Sequence, residues 1–262
     1  MELKIIFIAF SENSLGRRIL IGLINQGNKP IHVFMASEKA FANFRKNGIK
    51  RYIKLHGYIN LIWRMYYRLT LRKDIKAKSL ENNDSLKKSL KDKCAEFKIP
   101  LGYFDNINED HFVKILTELK PDLIVLGGAP IIKEKVLNIP SIAVLNSHPG
   151  ILPDAKGMDV VAHSIIHDIP LGVTVFKVDS GIDSGPVLKT RYLEVSTKRK
   201  KLHELEALIE DLASDTMLES VRKISTGEYF FEQQKSQGTI FRALNISSYK
   251  QVIKKLESGN NS

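Results

Sequence analysis

Cysteine is nearly absent from this chain. Cys94 is the one cysteine in 262 residues, which excludes an internal disulfide framework and a metal site built from cysteines. Long apolar runs are missing as well. No stretch approaches the roughly 20 residues of a bilayer span, and the early run Ile5-Ile6-Phe7-Ile8-Ala9-Phe10 is too short and too β-branched for a secretory signal. It reads as a first buried strand, and the expected location is the reducing cytoplasm. No internal repeat is visible. What is present is an ordinary globular composition, 43% hydrophobic and 26% charged, sufficient for one main core with at most a small appendage.

Acidic residues are in short supply, with 29 Asp and Glu against 40 Lys and Arg and a formal net charge of +11. The excess is uneven. Nine basic residues (Arg45, Lys46, Lys50, Arg51, Lys54, Arg64, Arg68, Arg72, Lys73) stand between positions 45 and 73 with no acidic residue among them. A second cluster runs from Lys198 to Lys201. Such patches attract phosphates, nucleic acid or anionic lipid, and equally serve as plain solvated faces.

Strand and helix signals alternate along the chain. Lys4 to Phe10 reads as a strand, Arg17 to Gln26 as a helix capped by Gly27, and Ile31 to Ala36 as a second strand, which makes a βαβ unit. Downstream, His111 to Leu119 and Lys133 to Leu137 read as helices, Asp122 to Leu126 and Ile142 to Leu145 as strands. Gly172 to Val178 and Val187 to Leu193 are further strands, joined by the turn Asp179-Ser180-Gly181-Ile182-Asp183-Ser184-Gly185, and Leu202 to Ile224 is a long helix. The expected fold is α/β: an open, twisted, mostly parallel Rossmann-like sheet flanked by helices.

Two segments sit outside this alternation. Ile59 to Leu71 predicts an inserted amphipathic helix, with Ile62, Met65, Tyr66 and Leu69 on one side and Arg64, Arg68 and Arg72 on another. Packing of its apolar side on the core is the expected use, and lying on a membrane surface is the alternative. After Gly227, short strands are expected at Tyr229 to Phe231 and Gly238 to Ala243, before a polar end at Ser258-Gly259-Asn260-Asn261-Ser262.

The strand ending at Leu145 leads into Asn146-Ser147-His148-Pro149-Gly150-Ile151-Leu152-Pro153. Open α/β sheets bind ligands beyond the carboxyl ends of their strands, and two residues apart on an extended chain means the same side. Asn146 therefore brings an uncharged amide donor beside the titratable ring of His148. Acyl transfer to an amine needs an oxyanion donor, an acid-base group and a carboxylate to orient that base. Asp183 is the leading candidate for the last role and Asp179 competes with it. A loop histidine that merely caps the sheet remains the bland alternative. His163 and His167 have zinc-like spacing but no third ligand, so no metal is expected. The turn from Ser11 to Gly16 reads as a plain βα turn, with phosphate binding at the helix N-terminus as its functional alternative.

These runs, together with Lys156-Gly157, Gly172-Val173-Thr174-Val175 and Gly181-Ile182-Asp183-Ser184-Gly185-Pro186-Val187-Leu188, resemble the signature of the folate-dependent formyltransferases. The resemblance extends over about Lys4 to Leu218 and is specific from Asp122 to Leu188. It implies Asn146, His148 and Asp183 as catalytic residues, and N10-formyltetrahydrofolate as formyl donor. The implied folate pocket consists of the loops Gly128, Ala129, Pro130, Ile131, Ile132 and Val178, Asp179, Ser180, Gly181, Ile182. The implied chemistry is attack of a neutral amine on the formyl carbon, with Asn146 and a protonated His148 stabilising the oxyanion. Gly150 departs from the Ser or Ala usual in that family, Asp154-Ala155 replaces its common aromatic, and a cis peptide is implied at Leu152-Pro153.

Residues 1–224 are then the expected catalytic domain, with a basic aromatic insertion at about 55–75 and a small extension over 225–262. Ser11, Asn13, Lys156 and Gly157 are candidate acceptor contacts. Lys54, Arg64 and Arg68 are candidates to face a diphosphate, and Trp63 or Tyr66 to stack on a base. The methionyl-tRNA members of the resembling family carry a β-barrel after the catalytic domain, for which too little chain follows the last long helix. The glycinamide ribonucleotide members are usually shorter and lack the insertion, and the hydrolases carry a domain in front. The expected acceptor is therefore an amino sugar linked to a nucleotide, as in polysaccharide biosynthesis, with no stable nucleic-acid complex and with the tail as a candidate dimer-forming unit. Glycinamide ribonucleotide, or a non-catalytic role in binding nucleotides or RNA, is the alternative.

Overall fold

The computed structural model describes residues 3–70, 88–128, 131–197 and 200–258, with side chains 67–70 left aside. Its central sheet contains β1 (Ile5–Ala9), β2 (His32–Ala36), β3 (Leu101–Phe104), β4 (Leu123–Leu126), β5 (Ala143–His148), β7 (Gly172–Lys177) and β8 (Val187–Tyr192). Their order across the sheet is β3-β2-β1-β4-β5-β7-β8. The first five are parallel, and β7 and β8 continue the sheet antiparallel. The expected α/β, mostly parallel architecture is borne out. A second ribbon pairs β6 (Ala155–Gly157) with β9 (Thr239–Phe241).

The helices are α1 (Ser14–Asn25), α2 (Glu38–Thr70), α3 (Leu90–Glu96), α4 (Asp110–Leu119), α5 (Glu134–Leu137), α6 (Val160–Ile166), α7 (Leu202–Thr226) and α8 (Ile246–Ser258). Both faces of the sheet are covered, which is why β1 is apolar at every position rather than alternating. Ile5, Phe7 and Ala9 of β1 face one cluster with Leu20 and Leu23 of α1 and Met217 and Val221 of α7. Ile6 and Ile8 face the other, with Phe112 and Leu116 of α4 and Val136 of α5. Complete burial of each such side chain contributes about 1.5–3 kcal/mol.

The same alternation positions the end of β5. Ala143 and Leu145 belong to the first cluster and Val144 to the second. By the two-residue period, Asn146 and His148 continue the Val144 side, while Ser147 turns the other way and donates to the carbonyl of Ala213 in α7 at 3.0 Å.

Two expectations about the outlying segments need correction. The amphipathic helix is the second half of α2, which kinks at Gly57 (φ 79°, ψ 170°), and its orientation is the reverse of the one expected. Ile62, Met65 and Tyr66 face solvent. Trp63 packs on Tyr249 of α8, and Arg64 turns inward to make two hydrogen bonds to Asp159, at 2.8 and 3.1 Å. A bidentate partner makes burial of a guanidinium tolerable, so Arg64 and Trp63 are taken up inside the fold and are not presented to a diphosphate or a base. Lys54 is exposed. The side chains of Arg68 and Leu69, and residues Arg72, Lys73 and Lys198, lie outside the described residues.

The tail also differs. Tyr229 to Phe231 is not a strand; the chain there makes one antiparallel bridge, Val187 with Glu232. Gly238 to Ala243 does supply β9. Beyond it α8 buries Tyr249, Val252 and Leu256 against α6 and α7, whereas positions 228–240 are mostly exposed; residues 259–262 lie outside the described residues.

Candidate active site

The carboxyl ends of β1, β4 and β5 lie side by side, and His148 is the last residue of β5. Its ring is buried, 3% exposed. Nε2 lies 2.7 Å from the carbonyl oxygen of Ala155. A carbonyl only accepts, so Nε2 carries the proton of the neutral ring and Nδ1 presents a lone pair. Nδ1 in turn is 3.5 Å from Oδ2 of Asp183. Any proton the ring gains is therefore gained at Nδ1, facing a carboxylate.

Asp183 reaches that position by an indirect path. Because β7 is antiparallel to β5, the turn after it starts beside Val144, with the amide of Val178 donating to the Val144 carbonyl at 2.8 Å. The turn must fold back along the sheet face to bring Asp183 up to His148. Asp183 has φ +49°, a left-handed conformation that Asp tolerates better than most residues. Its Oδ2 accepts the amide N–H of Gly157 at 2.8 Å. Gln234 from the tail donates through Nε2 to the carbonyls of Asp183 (2.9 Å) and Gly185 (2.8 Å). Asp179 is engaged within its own turn: Oδ1 accepts from the Gly181 amide at 3.1 Å and the Ser184 hydroxyl at 2.7 Å. The arrangement brings Asp183, rather than its competitor, to the imidazole.

The loop after His148 is held from β7. Thr174, opposite His148 in the ladder, donates to the Gly150 carbonyl at 2.9 Å and accepts the Leu152 amide at 3.1 Å. Leu152-Pro153 is cis. Gly150 has no room for a side chain, since a Cβ would stand 2.8 Å from the Ala155 oxygen and 3.0 Å from His148 Nε2. The departure at Gly150 is thus tied to the way this ring is seated. Neither Thr174 nor Gln234 was a candidate: Thr174 entered only within the run Gly172 to Val175 with no role attached, and a Gln in a tail carries no sequence signal.

Burial pushes the His148 pKa below its ordinary value, with the Asp183 charge and the Ala155 hydrogen bond opposing and the Lys156 charge assisting. The resting imidazole is neutral at neutral pH. Lys156 itself is buried.

The other candidate contacts divide. Asn13 is committed to its turn: Oδ1 accepts the Gly16 amide at 2.6 Å, capping α1, and Nδ2 donates to the carbonyls of Ser11 and Gly127 at 3.0 and 2.9 Å. That accounts for the sequence as a structural turn. Ser11 is half-buried at the same sheet edge. Gly157, with φ +94°, joins the Asp183 turn to the β6–β9 ribbon. Of the two predicted pocket loops, Ile132 and Val178 meet in one apolar cluster, while Ile131 and Ile182 are exposed. Ala129 and Pro130 lie outside the described residues.

Among the described residues no group of three or more His, Cys, Asp or Glu converges on one point. His163 and His167 instead stack on Phe241. Burial raises the Cys94 thiol to about 11, which keeps it from acting as a thiolate nucleophile. No described helix is long and apolar enough to cross a membrane.

With an imidazole and a carboxylate meeting at its carboxyl edge, the open α/β sheet belongs to a class of fold that binds ligands there. The comparisons narrow that class: a family model described as formyl transferase matches residues 71–221, more than half of the sequence, and the chain belongs to this folate-dependent formyltransferase family. Methionyl-tRNA formyltransferase of Kosmotoga olearia is 29% identical over 153 residues, 57% of this chain and 49% of that protein. The chain spans about half the length, or less, of the curated relatives it matches. Two solved structures share the fold. A 4-N formyltransferase from Francisella tularensis aligns with a TM-score of 0.59 at 16% identity, over 97% of this chain and 88% of that one. Phosphoribosylglycinamide formyltransferase from Streptococcus pneumoniae aligns with a TM-score of 0.56 at 17% identity, over 85% and 99%.

Proposed function

We propose that the protein is an N-formyltransferase that moves the formyl group of N10-formyltetrahydrofolate to a primary amine, with Asn146, His148 and Asp183 as its catalytic residues. The observation that carries the reading is the Asp183–His148–Ala155 alignment, with Asn146 on the same side of β5 as the ring.

In this mechanism the neutral amine attacks the formyl carbon, and the Asn146 amide donates to the oxygen that becomes negative. The adduct nitrogen is cationic and must lose a proton. Nδ1 of neutral His148 takes it, and Asp183 stabilises the imidazolium that forms. The same proton goes to N10 of the folate as the carbon–N10 bond breaks, which regenerates the resting ring. The folate is expected between Gly128, Ile131 and Ile132 on one side and the turn Val178 to Ile182 on the other. The exposed Ile131 and Ile182 support this, because a flat pterin gains from apolar surface beside backbone donors.

For the acceptor, the reading is an amino group of a nucleotide-linked deoxy amino sugar. It is supported by the extent of the fold shared with the 4-N formyltransferase and by a tail that returns to the candidate centre through Gln234. Glycinamide ribonucleotide is the second reading, supported by the fold shared with the phosphoribosylglycinamide enzyme. The test is a panel of amino-sugar nucleotides, glycinamide ribonucleotide and charged initiator tRNA, each with N10-formyltetrahydrofolate, followed by tetrahydrofolate release and the mass of the amine. Transfer to a sugar nucleotide alone is expected. Fast turnover of glycinamide ribonucleotide with none of a sugar nucleotide overturns the acceptor, and no transfer to any amine overturns the activity.

A further inference from the structure

The second half of α2 leaves an apolar face outside. Tyr58, Ile59, Ile62 and Met65 are 70, 76, 68 and 53% exposed, and at one, three and three residues apart they lie along one side of the helix. The opposite side is anchored. Asn60 accepts the Ile246 amide through Oδ1 at 2.8 Å, Trp63 packs on Tyr249, and Arg64 holds Asp159. The helix is therefore fixed by its inner face while its outer face presents branched aliphatic and thioether side chains to water, an arrangement soluble proteins usually reserve for a partner.

The chemistry of that partner follows from the charge that precedes the face along the chain, on the other side of the Gly57 kink. Arg45, Lys46, Lys50 and Arg51, on the first half of the same helix, are all exposed, and no acidic residue occurs between positions 45 and 73. A second copy of the chain docked face to face would bring these cations together with no carboxylate from this stretch to neutralise them. A nucleic acid would satisfy the cations and leave Ile59, Ile62 and Met65 against phosphate and sugar. An anionic bilayer meets both demands, because acyl chains take the apolar side chains while phosphate headgroups take the lysines and arginines. We propose that the outer face of α2, centred on Ile59, Ile62 and Met65, docks the protein reversibly onto an anionic phospholipid surface. This is peripheral attachment, consistent with the absence of a spanning helix among the described residues, and it does not depend on the formyl-transfer reading.

The experiment is co-sedimentation of the intact chain with vesicles of phosphatidylcholine alone and of phosphatidylcholine mixed with phosphatidylglycerol. Binding is expected to the mixed vesicles only. The double variant Ile62→Asp with Met65→Asp is expected to abolish it. Lys50→Ala with Arg51→Ala is expected to weaken it by about thirty-fold, at the usual contribution of one basic residue near an anionic surface. All four side chains are exposed, so unchanged thermal melting and unchanged transfer to a soluble acceptor serve as fold controls. Failure to sediment with the mixed vesicles overturns the proposal. So does vesicle binding that survives Ile62→Asp with Met65→Asp, which would leave a purely electrostatic patch of the kind that binds RNA. Self-association in place of vesicle binding, dissolved by the same pair of substitutions, overturns it in favour of a second copy.

Discussion

Oδ2 of Asp183 stands 3.5 Å from Nδ1 of His148, on the side of the ring away from the Ala155 carbonyl that holds Nε2. With Nε2 committed, the carboxylate addresses the one ring atom free to change protonation. The depressed pKa of His148 is then a balance in which burial prevails over Asp183, and the carboxylate has its main value when the ring becomes cationic.

The pH behaviour of Asp183→Asn follows from that balance. If neutral His148 is the base, activity falls as pH drops through its pKa. Asp183 raises that pKa, so removing its charge moves the acid limb of kcat/KM to lower pH, while turnover falls by about two or more orders of magnitude because the imidazolium is no longer stabilised. A pH–rate profile of the variant checks both. A limb displaced to higher pH, or turnover near that of the parent, removes Asp183 from this role.

Gly150→Ala tests the seating of the ring from the other side. The added methyl would press on both ends of the His148–Ala155 hydrogen bond, with contacts of 3.0 and 2.8 Å, and one of these is backbone that moves only with β6. Overpacking of this kind costs about 1–3 kcal/mol. A lowered Tm is expected, together with a turnover reduced by about tenfold as the ring loses alignment. Unchanged melting and turnover would mean that the loop yields freely.

Arg64→Ala separates a structural arginine from a substrate-binding one. Arg64 holds both oxygens of Asp159, whose Oδ2 also accepts the Leu244 amide at 2.9 Å, and Tyr52 donates to the Leu244 carbonyl at 2.8 Å. Burial works against the guanidinium charge, and the hydrogen-bonded Asp159 more than offsets it, raising the arginine above its ordinary range. Deleting one partner of such a pair costs about 3–5 kcal/mol. A large fall in Tm with an unchanged KM for the acceptor is expected from steady-state kinetics below the melting range. A raised KM without loss of stability would restore the diphosphate role.

The contrast between Arg64 and His148 shows where the sequence is informative. β1 and β5 are legible because strands buried on both faces leave an unbroken apolar run, and the two-residue period carries over to Asn146 and His148 without knowledge of the rest of the fold. The face of α2 is not legible in the same way. Helical spacing reveals two stripes but not which one meets the core, and the choice went to the stripe whose arginine found Asp159, 95 residues away. The spacing of Tyr249, Val252 and Leu256 was a readable helix signal for α8 that the polar surroundings masked. The selection between Asp179 and Asp183 depends on how one turn folds back and which amides it meets, and no spacing rule encodes that.

Gln234 extends the same point into the tail. Its amide N–H groups hold the carbonyls of Asp183 and Gly185, so it fixes the backbone that aims the carboxylate and touches no reacting atom. It is a positioning residue. Gln234→Ala removes both donors, and Gln234→Glu keeps the shape while replacing donors with acceptors that face two carbonyl oxygens. Both variants are expected to lower kcat by about tenfold, in keeping with the sensitivity of rate to small misplacements, with KM for the folate little changed. Because Asp183 would sit less well against Nδ1, the acid limb of the pH profile should move downward, in the same direction as in Asp183→Asn but by less. Gln234→Asn is too short to reach both carbonyls and should fall between parent and Gln234→Ala. A loss confined to Tm, with kcat and the acid limb both unmoved in the folded fraction, would reduce Gln234 to a strut of the tail.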